Sequence, residues 1–134
     1  MKVRLYAPAR AIDFATDEPI TDLQRLRTLD NVQYSDETFS DYISDGGEPE
    51  LQSVPVTGGH MRFYFDHRSN QLCAETVYDS ARILTRQEVG ALIEYTRGQW
   101  SDGIGENFSQ MYADEAGIFL EPAWDGPIEA EQLP

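Results

Sequence analysis

Residues 61–79 read MRFYFDHRSNQLCAETVYD and contain two segments with the pattern of β-strands. Met61, Phe63 and Phe65 alternate with residues of more polar character, which is the period of a strand with one buried face. The residues RSN supply a polar turn, and the strand pattern resumes in QLCAETVYD. The pattern therefore predicts a β-hairpin in the centre of the chain.

A helix is predicted directly after the hairpin, in TRQEVGALIEYTRG (residues 85–98). Thr85 and Glu88 have the spacing of a capping box, in which each side chain bonds the other residue's backbone N–H. Gly98 stands where a left-handed C′ residue would end the helix, so the helix is expected to span about Arg86 to Arg97. Gly90, inside this helix, suggests close packing. The apolar side of the helix comprises Val89, Leu92, Ile93 and Thr96.

The flanks of this unit contain weaker patterns. KVRLYA (residues 2–7) alternates like a half-buried strand, and Pro8 fits a strand end or an edge. Residues 19–29 allow a short helix, and residues 106–117 allow another. GIFLEPAW (residues 117–124) predicts a strand that ends at its proline.

Together these elements predict a single α+β domain over residues 1–126. A small antiparallel or mixed sheet with a central hairpin is expected to pack against one main helix and one or two short helices. Residues 127–134, which begin and end with proline and have little to bury, are expected to form a flexible acidic tail.

The distribution of charge restricts the class of partner. The chain carries 24 acidic and 10 basic residues, for a formal net charge of −14. Residues 60–97 are balanced, whereas residues 98–134 contain eight acids and no base. Such a surface repels nucleic-acid phosphate and anionic membrane. A basic protein surface is the expected partner, with neither direct nucleic-acid binding nor membrane binding.

The sequence gives little indication of catalysis. No apolar run reaches the roughly 18–20 residues of a membrane span, and the N-terminus lacks the apolar region of a signal peptide, so a cytoplasmic protein is expected. Cys73 lies in the middle of a predicted strand, where a buried thiol is ordinary. His60 and His67 flank a strand and would point to opposite faces, which argues against a shared metal site. Neither a metal nor a cofactor is expected.

The best candidate site is GQWSDGIGENF, residues 98–108. Its candidate binding residues are Trp100, Asp102, Glu106 and Asn107. Carboxylates and carbonyls there would suit a hard cation, and the glycines would suit an anion-binding nest. The alternative is a structural joint, in which the tryptophan anchors the chain after the helix ends.

A second candidate surface lies in the acidic stretch of residues 30–50. One short helix would place Phe39 and Tyr42 on the same face, beside Asp41. This acidic-aromatic face would suit a basic partner. Alternatively, the two aromatic side chains pack into the core, because apolar faces must be buried somewhere.

The loop at residues 98–108 resembles a stretch found in small uncharacterised bacterial and phage proteins, written G-Q-x-S-D-G-(aromatic)-G-E-x-F. Ile104 departs from this pattern at the aromatic position. The resemblance implies a family without a known activity and suggests that the loop is a fixed feature of the fold. The matching residues are Gly98, Gln99, Ser101, Asp102, Gly103, Gly105, Glu106 and Phe108.

Three function classes follow from these features. The first is a small acidic protein that binds another protein through its acidic flanks and the Trp100 loop. The second is an acidic DNA mimic that inhibits a nucleic-acid-binding or host-defence enzyme, because carboxylates can imitate phosphates. The third is a small enzyme that uses Asp102 and Glu106, with His67, as acid–base groups. The sequence favours a binding protein over an enzyme.

Overall fold

The elements are named in chain order from a computed structural model, which describes residues 1–34, 54–102 and 116–134. Two helices and seven strands occur in these ranges. They are β1 (Lys2–Asp13), β2 (Glu18–Pro19), α1 (Leu23–Arg27), β3 (Val32–Tyr34), β4 (Val56–Asp66), β5 (Gln71–Ser80), α2 (Arg86–Asp102), β6 (Ile118–Pro122) and β7 (Glu129–Leu133).

The strands join in one antiparallel sheet with the order β2-β1-β5-β4-β3. Two further strands, β6 and β7, both pair with β1, at residues 9–13 and 2–6 respectively. The long strand β1 therefore organises the sheet, because four other strands bond to it. The α+β class is confirmed, and the sheet is larger than the small one predicted.

The central hairpin predicted from the alternation is confirmed. Its turn is held by Asp66, whose carboxylate accepts hydrogen bonds from the Arg68 backbone N–H and the Ser69 hydroxyl, both at 3.0 Å. Asn70 completes the turn at φ 53°, in the left-handed region that asparagine tolerates. At the other end of the hairpin, the register of β4 shifts at residues 58–59, where two positive-φ glycines permit a bulge.

The two helices lie on the same face of the sheet, which we call the inner face. The β5 residues Thr76 and Tyr78 point toward α2: the Trp100 indole N–H donates to the Thr76 hydroxyl (2.9 Å), and the Tyr78 and Thr96 hydroxyls bond at 2.8 Å. Alternate residues of three strands contribute apolar side chains to the core on this face. These include Val3, Leu5, Ala7, Met61, Phe63, Phe65, Leu72 and Ala74.

The start of α2 agrees with the predicted capping box, and its end does not agree with the predicted stop. The Glu88 backbone N–H donates to the Thr85 hydroxyl (3.2 Å), and Thr85 N–H donates to the Glu88 carboxylate (2.9 Å). Instead of ending at Gly98, the helix continues to Asp102. The physical reason is Trp100, which extends the buried stripe by a further turn and is only 3% exposed. Burial of an indole outweighs the roughly 1 kcal/mol that a helical glycine costs.

Gly90→Ala is expected to raise the free energy of unfolding by about 0.5–1 kcal/mol. The predicted close packing at Gly90 is wrong, because a Cβ built there meets no atom within 4 Å. Alanine would therefore gain helix propensity without a clash. Chemical denaturation followed by circular dichroism measures the change. Gly117→Ala is the matched control and should destabilise, because Gly117 has φ +73°; a Gly90→Ala protein that also loses stability would contradict the assignment.

The N-terminal segment forms more strand than its sequence predicts. Pro8 was expected at a strand end or edge, yet β1 runs through it to Asp13. Pro8 lacks an N–H, but its carbonyl still accepts from the Ala123 N–H at 2.8 Å. The predicted helix within residues 19–29 is present as the shorter α1, where the Asp22 side chain caps the Gln24 N–H (3.1 Å).

The C-terminal residues differ from the flexible tail predicted for 127–134. They form β7, which pairs with β1 from Glu129 to Leu133, and Ile128 is buried before it. The Gln132 side chain both accepts from and donates to the Leu84 backbone, at 2.6 and 3.1 Å. Arg97 of α2 fixes the preceding loop by donating to the backbone carbonyls of residues 124 and 126. The strand forms because β1 offers backbone partners, which an acidic sequence can use as well as an apolar one.

Candidate functional site

The sheet presents a second face, which we call the outer face, opposite the two described helices. It is formed by the residues that alternate with the core residues in the same strands. Because directly paired residues of antiparallel strands share a face, the register places them in rows. One row contains Glu129, Tyr6, Glu75 and Arg62, and the next contains Glu131, Arg4, Val77 and His60.

Glu75 is the centre of the outer face. Its side chain is only 5% exposed, although it lies on the face away from the helices. The guanidinium of Arg4 donates to one carboxylate oxygen, and that of Arg62 donates to the other at 2.5 Å. A buried carboxylate requires such partners, because desolvation without them disfavours the charged form. Burial raises the pKa of Glu75, but the hydrogen bonds from the two arginines outweigh this and hold the pKa below its ordinary value.

The two arginines are fixed in place by further contacts. Arg4 donates to the Tyr64 hydroxyl (2.5 Å), and its guanidinium carbon lies 4.0 Å above the centroid of the Tyr6 ring. Arg62 donates to the side chain of Asn31 (3.0 Å) and lies 5.1 Å from the Tyr64 ring centroid. The side chains of Arg4 and Arg62 remain 22% and 32% exposed. The result is a preorganised surface of guanidinium planes and phenol rings.

Tyr64 and Cys73 are neighbours on the outer face, since they pair directly between β4 and β5. Burial raises the pKa of Tyr64 well above its usual range and also raises the pKa of the Cys73 thiol. Both groups therefore stay protonated at neutral pH, and a thiol in this state is a poor nucleophile. The Cys73 thiol lies 3.8 Å from the Gln71 carbonyl. This geometry agrees with a structural cysteine.

The edge of the outer face along β7 is acidic. Glu129 lies directly across from Tyr6, is exposed, and forms no ion pair within the described residues. Glu131 lies across from Arg4 at 3.4 Å from a guanidinium nitrogen, and its side chain is 50% exposed. Since Arg4 already bonds to the buried Glu75, the ion pair with Glu131 is peripheral. Glu129 is thus available beside the Tyr6 ring, and the half-exposed Glu131 lies next to it.

The candidate residues of the 98–108 loop fall in different places. Trp100 lies in the core, and its indole N–H is bonded to Thr76, so in this structure its side chain is an anchor and is not presented to a partner. Asp102 is the last residue of α2, and its side chain is outside the described residues. Glu106 and Asn107 are also outside them, so their roles as binding residues stay predictions.

The predicted acidic-aromatic face, comprising Phe39, Asp41 and Tyr42, also lies outside the described residues. Both histidines are exposed, and the His67 ring packs edge-on against Phe65 with 5.0 Å between centroids. In residues 1–34, 54–102 and 116–134, no three His, Cys, Asp or Glu side chains are grouped to hold a metal ion. Within the same ranges, no helix is long and apolar enough to cross a membrane.

The outer-face cluster was missed from the sequence, although a signal for it exists. Both KVRLY and MRFYF place an arginine two residues from a tyrosine, on the polar side of the strand alternation. Glu75 is the single acid within LCAETV, a strand whose other residues are apolar or small. Only strand pairing shows that the acid faces both arginines.

Comparison with known proteins gives no assignment. No family model, curated protein or solved structure matches the chain.

Proposed function

We propose that this protein binds another protein through a basic surface of that partner. The observation that carries the proposal is that most basic residues of this chain already form ion pairs within it. All ten lysines and arginines lie in the described ranges, and seven of them form ion pairs with carboxylates of the same chain. The positive charge of the chain is thus largely neutralised internally, while much of its negative charge is not.

The excess acid is distributed over several parts of the chain. Residues 35–53 contain six acids and residues 103–115 contain three, and neither segment contains a base. Among the described acids, Asp17, Glu18, Asp125 and Glu129 form no ion pair with another described residue. A surface of this kind attracts cationic partners and accelerates their association, and it repels nucleic acid and anionic lipid.

Binding of a defined basic peptide tests the proposal. A fluorescein-labelled ten-residue peptide of alternating lysine and arginine should bind the full chain, with an affinity that falls about tenfold between 50 and 300 mM salt. Fluorescence anisotropy measures the binding. A peptide of the same length built from glutamate, and a labelled DNA duplex, serve as controls and should not bind. Absence of binding to the basic peptide at 50 mM salt, or binding of the DNA, would refute the proposal.

The DNA-mimic hypothesis is a narrower form of the same proposal, because its partner is a basic nucleic-acid-binding groove. It additionally requires that duplex DNA and this protein compete for one partner. The enzyme hypothesis rests on Asp102 and Glu106, whose side chains lie outside the described residues. It stays a prediction, and the described geometry does not add to it.

A further inference from the structure

We infer that the outer face of the sheet, along the β7–β1–β5 strip, is the surface on which the basic partner docks. This inference rests on the proposed function and assigns it a location. The strip is centred on Tyr6. Glu129 and Glu131 lie on its β7 side, and the Arg4–Glu75 ion pair lies beside Tyr6 on the same face. The occupant is a protein segment that carries lysine or arginine side chains.

The composition of the strip is that of a protein-binding surface. Tyrosine and arginine are the residue types enriched at the energetically important centres of interfaces, and the surrounding rim is usually polar. Here Tyr6 and Tyr64 are partly exposed and bracket Arg4, whose guanidinium contacts both rings. Their positions are set before a partner arrives, which reduces the ordering cost of association.

Charge complementarity identifies the occupant. A cationic side chain placed on the face of the Tyr6 ring that Arg4 leaves uncovered would lie beside Glu129, its direct cross-strand neighbour. The ring contributes a cation–π contact, and the carboxylate contributes an ion pair. An anionic ligand is disfavoured, because both arginines already donate to Glu75 and the neighbouring strand adds two carboxylates. A second copy of this chain is disfavoured by the net charge of −14.

The buried Glu75 carboxylate fixes the positions of Arg4 and Arg62. The buried carboxylate of Glu75 pairs with both guanidinium groups and holds them against the sheet. Glu75, together with Glu131 at 3.4 Å from Arg4, balances the two positive charges within the face. The surface that remains for a partner consists of the exposed parts of the two tyrosine rings and the exposed carboxylate of Glu129, with the half-exposed Glu131 next to it.

The test compares the wild-type chain with two double variants, each of which removes two negative charges, and with one substitution that leaves the charge unchanged. The probe is the same labelled Lys/Arg peptide. E129Q/E131Q removes two charges from the strip and should weaken binding about tenfold. D17N/E18Q removes two charges from the β1–β2 hairpin, where both residues are exposed, and should weaken binding less than twofold. Tyr6→Leu, which leaves the charge unchanged, should weaken binding about threefold to tenfold. Thermal unfolding by circular dichroism confirms that each variant is folded.

The outcomes separate the two proposals. Binding by the wild-type chain with equal losses in both charge variants would show general electrostatic attraction and overturn the docking surface, while the proposed function would stand. No binding by the wild-type chain would overturn the proposed function itself. Sedimentation velocity tests whether a second copy of this chain occupies the strip instead. A dimer that E129Q/E131Q strengthens would assign the strip to that second copy and would also overturn the inference.

Discussion

Replacing Glu75 with glutamine is expected to lower the free energy of unfolding by about 2–3 kcal/mol. Removing one member of a buried ion pair typically costs about 3–5 kcal/mol, because the other charge is left without compensation. In this chain Arg4 and Arg62 both lose their shared partner. The cost should lie toward or below the lower end of that range, because their side chains are 22% and 32% exposed and water can reach them.

The measurement is urea denaturation, with Asp79→Asn as the matched control. Asp79 lies on β5 and on the same face as Glu75, and its carboxylate pairs with Lys2 at 2.7 Å. Its side chain is 62% exposed, so its removal should cost less than about 1 kcal/mol. Equal losses in the two variants would contradict the special position of Glu75.

The pH dependence of the Glu75 effect has a defined sign. Burial raises the Glu75 pKa, the arginine hydrogen bonds lower it further than that, and the folded value lies below the ordinary 4.5. A carboxyl group whose pKa is lower in the folded state stabilises the fold at pH values above 4.5, and that contribution is lost as the pH falls through the folded pKa. The difference in unfolding free energy between wild type and Glu75→Gln should thus be constant near neutral pH and shrink below about pH 4.5. A difference that grows on acidification would contradict the ion-pair assignment.

Replacing Trp100 with alanine is expected to lower the free energy of unfolding by about 3–5 kcal/mol. The indole is 3% exposed and packs between α2 and the inner face of the sheet. The substitution leaves a cavity and removes the partner of the Thr76 hydroxyl. Because domains of this size are stable by about 5–15 kcal/mol, a loss of this magnitude removes a large share of the total stability. The far-ultraviolet circular dichroism signal and its urea midpoint measure the effect.

A milder pair of variants keeps this prediction testable even if Trp100→Ala does not fold. Trp100→Phe retains an aromatic ring but removes the indole N–H, which leaves the buried Thr76 hydroxyl without that donor and should cost about 1–3 kcal/mol. Adding Thr76→Val removes the unsatisfied hydroxyl, so the double variant should recover part of the loss. If the two losses simply added, the hydrogen bond would not be a coupled interaction.

The local features of the chain that were predictable are those whose interacting residues all lie within one short segment. The capping box needs only Thr85 and Glu88, and the hairpin needs only two adjacent alternating runs with a turn between them. The α+β class follows from the same local signals. The stop at Gly98 failed because the decisive contact, between Trp100 and Thr76, joins residues 24 positions apart.

The candidate site was less predictable than the fold. The sequence predicts Trp100, Asp102, Glu106 and Asn107 as binding residues, because the composition of this one short stretch is unusual. The described cluster instead combines Arg4, Arg62 and Glu75 from three strands. Each of these residues is ordinary in its own segment, so local composition gives no reason to connect them.

By itself, the sequence determined the elements whose hydrogen bonds and apolar periodicity are local, and it determined the net negative charge of the chain. Tertiary structure alone decided that residues 129–133 form a strand, because β7 depends on the backbone of β1 and not on its own side chains. It also decided that Glu75 is buried between two arginines, because strand register sets which distant charges meet. Local periodicity sets which side of a strand is polar; the pairing of strands sets what that polar side contains.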